Sequence, residues 1–152
     1  MRHRSRPVAR IFAGLTASTV LLSAAPDEGV EVTVHVEGLR STKGQVLACL
    51  TAQPRAFPHC RDAKQARSRL AVPASTAATI RFDNIEKGTY AIALLHDENS
   101  NGRVDMALIM PKEGFGFSRN PPVRTGPPSF AAASFSVDDT PVQQTIRMRY
   151  IF

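Results

Sequence analysis

The chain has no tryptophan, two cysteines and two tyrosines in 152 residues. With aromatics at 7 % of the composition, any core must rest on aliphatic side chains and a few phenylalanines. No apolar run reaches the ~20 residues that a transmembrane helix requires. There is no glycine-rich phosphate loop and no serine in a nucleophile elbow, so nucleotide chemistry and serine hydrolysis have no motif here. His35, His59 and His96 lie far apart without zinc-ligand spacing. Acidic residues are in deficit, 13 against 19 Lys and Arg, for a formal charge of +6. A hydrophobic content of 43 % with 21 % charged residues is that of a chain that buries a core rather than a disordered one. The length suits one domain.

Much of the basic excess sits at the start. Arg2, Arg4, Arg6 and Arg10 precede an apolar stretch from Ile11 to Leu22, softened by Gly14, Thr16, Ser18 and Thr19 and closed by Ser23, Ala24 and Ala25. This order of basic, apolar and small residues predicts a signal peptide over 1–25. The apolar part is too short for a comfortable membrane anchor. No cysteine lies nearby for lipid attachment, and no adjacent arginine pair precedes the apolar stretch. Residues 26–152 are expected to form a single exported domain, periplasmic or secreted, with no transmembrane span after cleavage. Without the four leader arginines, fifteen basic residues face thirteen acidic ones. The basic face that nucleic-acid binding needs is then gone.

In an exported chain two cysteines suggest a disulfide, Cys49–Cys60, tying a strand end to the loop that follows. The alternative is two buried thiols.

The body has the period of strands. Val30, Val32, Val34 and Val36 alternate with polar residues, and residues 45–51 place Val46, Ala48 and Leu50 on one face. With a turn at 42–44 between them, these two strands look like a hairpin. Further strands are expected at 70–72, 77–82, 89–96, 130–137 and 142–150, with a helical turn near 61–67. The 89–96 strand is apolar on both faces, as a central strand would be. Residues 97–129 contain Pro111, Pro121, Pro122, Pro127 and Pro128 with four glycines. They are expected to form one long Pro/Gly-rich loop, packed down because Phe115 and Phe117 lie within it. About seven short strands and almost no helix predict an all-β fold, an Ig-like or transthyretin-like β-sandwich. Tyr150 and Phe152 resemble the end of an outer-membrane barrel. Such barrels need about eight strands of ~9–11 residues, which 52–76 and 97–129 do not supply.

One stretch has ligand chemistry. Asp97, Asn99, Asn101 and Asp105 place oxygens at alternate positions, Gly102 permits a sharp bend, and the carbonyl of Arg103 follows. This is similar to the first nine positions of an EF-hand loop, so calcium is the candidate ion. The twelfth position is Leu108 rather than glutamate and the flanks are strand-like, so it is not an EF-hand; Glu113 is the nearest carboxylate to complete a site. The alternative is a turn stitched by Asn and Asp side chains bonding their own backbone. His96 ends the central strand beside two acids. It is either a strand-end residue bonded to the loop or a general base.

Three motifs together resemble the bacterial domain-of-unknown-function 2141 family. They are Phe82-x-x-Ile85-x-x-Gly88-Thr89-Tyr90-Ala91-Ile92, His96-Asp97-Glu98-Asn99-x-Asn101-Gly102-x-x-Asp105, and Glu113-Gly114-Phe115-Gly116-Phe117-Ser118-x-Asn120. The resemblance covers residues 30–150. It implies an exported sandwich akin to transthyretin-like or carboxypeptidase-regulatory modules and no assigned activity. It also implies that the Asp/Asn loop and the Gly-Phe loop belong together, the second lidding the first. Arg119 departs from the pattern, where a second Asn is more usual.

The expected function is an exported binding or structural module with an unknown protein or envelope partner. Its working surface is expected at 96–120, including His96, Gly114, Phe115, Gly116, Phe117 and Asn120. The alternatives are a hydrolase using His96 with Asp97 or Glu113, and a purely structural envelope protein.

Overall fold

A computed structural model describes residues 29–60, 66–107, 110–124 and 126–151. The leader 1–25, most of the expected helical turn at 61–67, Leu108 and Phe152 lie outside the described residues.

The alternating valines form β1 (Val30–Glu37), and Val32 and Val34 are fully buried. The chain then crosses to a second sheet. There β2 (Gln45–Thr51) pairs antiparallel with β3 (Ser68–Pro73) and with β5 (Gly88–Asp97), while β4 (Thr79–Ile85) returns to pair with β1. So β1 and β2 are not a hairpin. Each has one apolar face, and both faces are buried at once only when the strands lie in opposite sheets and face each other. The connection over 38–44 is long enough to span the ~10 Å between packed sheets. The last long strand, β10 (Val142–Arg147), runs parallel to β1.

Two short elements and an edge strand break up the expected 97–129 loop. These are β6 (Met106–Ala107) paired with β7 (Met110–Pro111), and β8 (Gly114–Phe117), which pairs with β5 over Ala93–His96. The expected strand over 130–137 splits. Ser129 caps a single helical turn, α1 (Phe130–Ala133), by accepting from the Ala132 N–H, and only β9 (Phe135–Val137) is extended. The run Ala131-Ala132-Ala133 favours helix over strand, and the serine cap decides its start.

Among the described residues eight strands thus lie in two sheets: β10-β1-β4, and β3-β2-β5-β8 with β9 on the remaining half of the β5 edge. The arrangement is sandwich-like and, among these residues, all-β apart from one helical turn; it is not a closed barrel. The inter-sheet core joins Val32, Val34, Ile80, Phe82 and Ile146 to Val46, Leu50, Ile92 and Leu94. Strand β5 is buried on both faces, as its composition predicts. Its other face carries Ala91 and Ala93 against Phe57, Phe117 and Ala133, with Phe115, Val123 and Phe130 at the margin. Phe57 meets Phe117 and Phe130 edge-on at 5.7 and 6.1 Å, a favourable aromatic geometry. Cys49 and Cys60 are bonded, with their Cα atoms 6.3 Å apart. The bridge holds the Phe57 loop over this second cluster.

Candidate functional site at the end of the central strand

The antiparallel register places Val46 beside His96 and Gln45 beside Asp97. Strand β5 therefore ends against the β1–β2 connection. Gly44, at φ +67°, lies so close to that end that a Cβ would sit 2.1 Å from the Asp97 carbonyl oxygen. On the opposite side Gly114 abuts the Tyr150 ring, where a Cβ would come within 2.2 Å. These glycines let three chain segments close around His96.

His96 is fully buried. Its Nε2 lies 2.9 Å from the Lys43 carbonyl and its Nδ1 2.7 Å from the Tyr150 hydroxyl. A carbonyl only accepts, so Nε2 carries a proton, and in the neutral ring the Tyr150 O–H donates to Nδ1. The Tyr150 oxygen in turn accepts from the Arg40 N–H at 3.2 Å. The Arg40 guanidinium lies 4.5 Å from the centre of the Tyr150 ring, donates to Glu98 and reaches the Lys112 carbonyl at 3.3 Å. Arg40, and then the Ser41 hydroxyl at 2.7 Å, hold the Glu98 carboxyl down at about 2. Glu98 raises the Arg40 guanidinium correspondingly. Burial raises the Tyr150 phenol. His96 is thus a strand-end residue bonded to neighbouring segments. Both of its nitrogens are engaged, and no atom of its ring faces solvent.

Beyond His96 the chain wraps around Asp97, which is also fully buried. Its Oδ1 accepts from the Asn101 N–H at 3.1 Å; its Oδ2 accepts from the Gly102 N–H at 2.8 Å and from Gln45 Nε2 at 2.9 Å. Asn99 Oδ1 accepts from the Asn101 N–H at 3.1 Å, and Asn101 Oδ1 from the Arg103 N–H at 3.0 Å. Ser100 and Gly102 adopt positive φ. The two asparagine amides both point at Asp105, at 2.6 Å from Asn99 and 2.9–3.0 Å from Asn101. Asn101 and then Asn99 lower the Asp105 carboxyl. Asn99 and Asn101 thus meet at Asp105 through their amide nitrogens, while Asp97 is bonded to backbone N–H groups and Gln45; the oxygens of the four side chains do not converge on one point. Glu113 joins them from the residue before β8: its Oε2 accepts from the Asp105 N–H at 3.1 Å. Among the described residues no three His, Cys, Asp or Glu groups stand close enough to hold a metal between them.

The remaining expected surface residues behave differently from one another. Gly114, Gly116 and Phe117 are buried and Phe115 is half-buried, whereas Asn120 is exposed. Glycine at 114 and 116 is what lets β8 press against the other sheet, and Phe115 and Phe117 pack in the second cluster. Asn120, at φ +49°, donates to the Thr145 carbonyl at 2.7 Å and accepts from the Arg147 N–H at 2.8 Å. Its amide stands in for a strand partner on the outer edge of β10. The preceding Ser118 hydroxyl donates to the Ala133 carbonyl at 2.6 Å and accepts from the Ile92 N–H at 2.9 Å. The Gly-Phe segment thus lies beside the oxygen-rich loop through Glu113 but packs laterally rather than lidding it.

The sequence model of one bacterial family, described as uncharacterised proteins conserved in bacteria (DUF2141), matches residues 34–145. The chain belongs to this family. No curated protein and no solved structure matches it. The DUF2141 match takes in Arg40, the 97–105 loop, Glu113 and Asn120. It stops short of Tyr150, the ring that seals His96. Sequence reasoning missed Arg40, Lys43, Gln45 and Tyr150 as parts of this end. Only the two glycines hinted at the close approach.

Proposed function

We propose that this DUF2141 protein is an exported β-sandwich serving as a binding or structural module, with its specialised surface at the end of β5 and a calcium ion held at the 97–105 loop. Export rests on the leader pattern of residues 1–25 and on the bonded pair Cys49–Cys60, which suits an oxidising compartment. Among the described residues no helix is long and apolar enough to cross a membrane. The observation that carries the site is the closed ring of donors around Asp97. Backbone N–H groups of Asn101 and Gly102 turn the chain about its carboxylate and bring Asn99, Asn101 and Asp105 alongside it. The carboxylates of Asp97 and Asp105 are what this loop offers a cation, and no catalytic group is needed.

The hydrolase reading has less behind it. His96 has both nitrogens committed and is sealed by Tyr150, so a proton relay to a substrate would require dismantling the network. A purely structural envelope role uses the same scaffold and differs only in lacking a soluble ligand.

The test is fractionation of the native host expressing the full chain, with intact mass of the recovered protein under non-reducing conditions. The expected product lacks the leader, lies outside the cytoplasm and is two hydrogens lighter than the dithiol form. A full-length, reduced product in the cytoplasm would sink the proposal.

A further inference from the structure

Strand β10 pairs with β1 on one side only. Beside its other edge, Glu37, Asn120, Thr145, Arg147 and Arg149 line a cleft of about 330 Å³. Hydrogen bonds fix the walls of this cleft. The Asn120 amide ties the 119–121 turn to β10. The Arg149 guanidinium donates to the carbonyls of Pro121 at 3.0 Å and Asn120 at 3.3 Å. Arg119 and Asn120 adopt positive φ in succession, +63° and +49°. Two adjacent non-glycine residues in that region make a strained turn, of the kind that clusters where a chain holds a ligand.

The lining is rich in donors and poor in acceptors. A guanidinium has five N–H donors and no acceptor. Two donors of Arg149 go to carbonyls, and among the described residues no carboxylate pairs with it. Arg147 pairs with Glu37 at 3.5 Å, with side chains 70 % and 52 % exposed, a contact that solvent keeps weak. The Thr145 hydroxyl and the second amide hydrogen of Asn120 add neutral donors. Two positive charges thus face one negative charge around a single cleft.

We propose that this cleft binds the phosphate group of an organic phosphate, with Arg147 and Arg149 as charged donors and Asn120 and Thr145 as neutral ones. Donors from two guanidiniums, an amide and a hydroxyl suit a group whose oxygens point in several directions, whereas a planar carboxylate is satisfied by one guanidinium fork. Arg149 is already oriented by two carbonyls, so little side-chain freedom is lost when an anion arrives. Arg147 exchanges Glu37 for the ligand, which makes Glu37 the internal competitor of the anion. Ligand pockets begin at about 300 Å³, so the cleft has room for an organic part as well as the phosphate. Two sources share this chemistry: a soluble phosphate ester and a phospholipid headgroup. The cleft has no residue in common with the 97–105 loop and does not depend on calcium there.

The experiment is NMR titration of the protein recovered after expression of the full chain, with glycerol phosphate and with acetate, alongside cosedimentation with phosphatidylglycerol vesicles. Millimolar glycerol phosphate is expected to shift the backbone amides of Asn120 and Arg147, and acetate to do so much less. Arg147→Gln is expected to weaken phosphate binding about tenfold. Glu37→Gln is expected to tighten it about two- to fivefold, because the competing carboxylate is gone. Arg81→Gln removes an exposed cation from β4 and is expected to leave the affinity unchanged. Vesicle binding that Arg147→Gln abolishes would assign the phosphate to a headgroup; glycerol phosphate binding without vesicle binding would assign it to a soluble ester. Either result supports the proposal. No response to either phosphate probe, an equal response to acetate, or equal weakening by Arg147→Gln and Arg81→Gln would overturn it. Should Arg147→Gln fail to fold, Glu37→Gln carries the test by itself, and an unchanged or weaker affinity there would overturn the proposal.

Discussion

The two loops that leave the five-stranded sheet are secured by different physics. The loop after β2 is held by a covalent bond and by Phe57 packed among Phe117, Phe130 and two alanines. The loop after β5 contributes no large buried apolar side chain over 97–105. It is held by charge and hydrogen bonds around Asp97, with His96, Tyr150 and Arg40 beneath. The first arrangement is expected to respond to truncation and reductant more than to ions and acid, and the second the reverse. An end held by polar contacts on an apolar, covalently clamped body can open without disturbing the core.

The largest effect should come from the clamped loop. Phe57→Ala empties an aromatic position that is 8 % exposed and is expected to cost ~3–5 kcal/mol in urea unfolding. A loss below ~1 kcal/mol would mean that the second cluster is ornamental. Replacing Cys49 and Cys60 together by alanine is next, at ~2–3 kcal/mol for a short closed loop. That loss should be the same in calcium and in chelator, because the bridge starts beside Ala93, away from the 97–105 loop; a calcium-dependent loss would break the contrast.

At the polar end, Gly114→Ala drives a methyl into the Tyr150 ring, with an expected cost of ~1–3 kcal/mol. Its signature is a perturbed His96 imidazole resonance, and an unchanged His96 environment would contradict the packing. Tyr150→Phe removes the donor to His96 Nδ1 and leaves a buried acceptor unpaired, at ~1–3 kcal/mol. The smallest effect is that of Glu98. Its carboxyl titrates near 2 in the folded protein, below the ordinary value of 4.5, because of Arg40 and Ser41. The stabilisation is complete above the ordinary value and is lost as the pH falls from there through about 2. The pair is partly solvated, so Glu98→Gln should lower stability at neutral pH by less than ~1 kcal/mol and flatten the acid limb of the stability curve. An unchanged acid limb would show that Glu98 is not its source.

Period-two valines and the doubly apolar 89–96 strand were enough to indicate an all-β sandwich, because alternation reports directly on which face is buried. The D-x-N-x-N-G spacing was likewise enough to locate the oxygen-rich loop, since its hydrogen bonds are local. The β1–β2 pairing was misread because a hairpin and a crossover have the same pattern of buried faces. The β8 strand was hidden because Gly114 and Gly116 leave one face without side chains, and that face has meaning only against Tyr150 and Ile146.

Local chemistry in the chain therefore determined the strands, the cysteine pair and the turn around Asp97, all of which involve residues close in sequence. Only the tertiary structure decided that β1 and β2 face each other, that Tyr150 seals His96 across 54 residues, and that Glu113 reaches the Asp105 N–H at the base of the loop. Which sheet a strand joins, and which distant groups meet at its end, depends on burying every apolar face at once, a property of the whole chain that no single segment encodes.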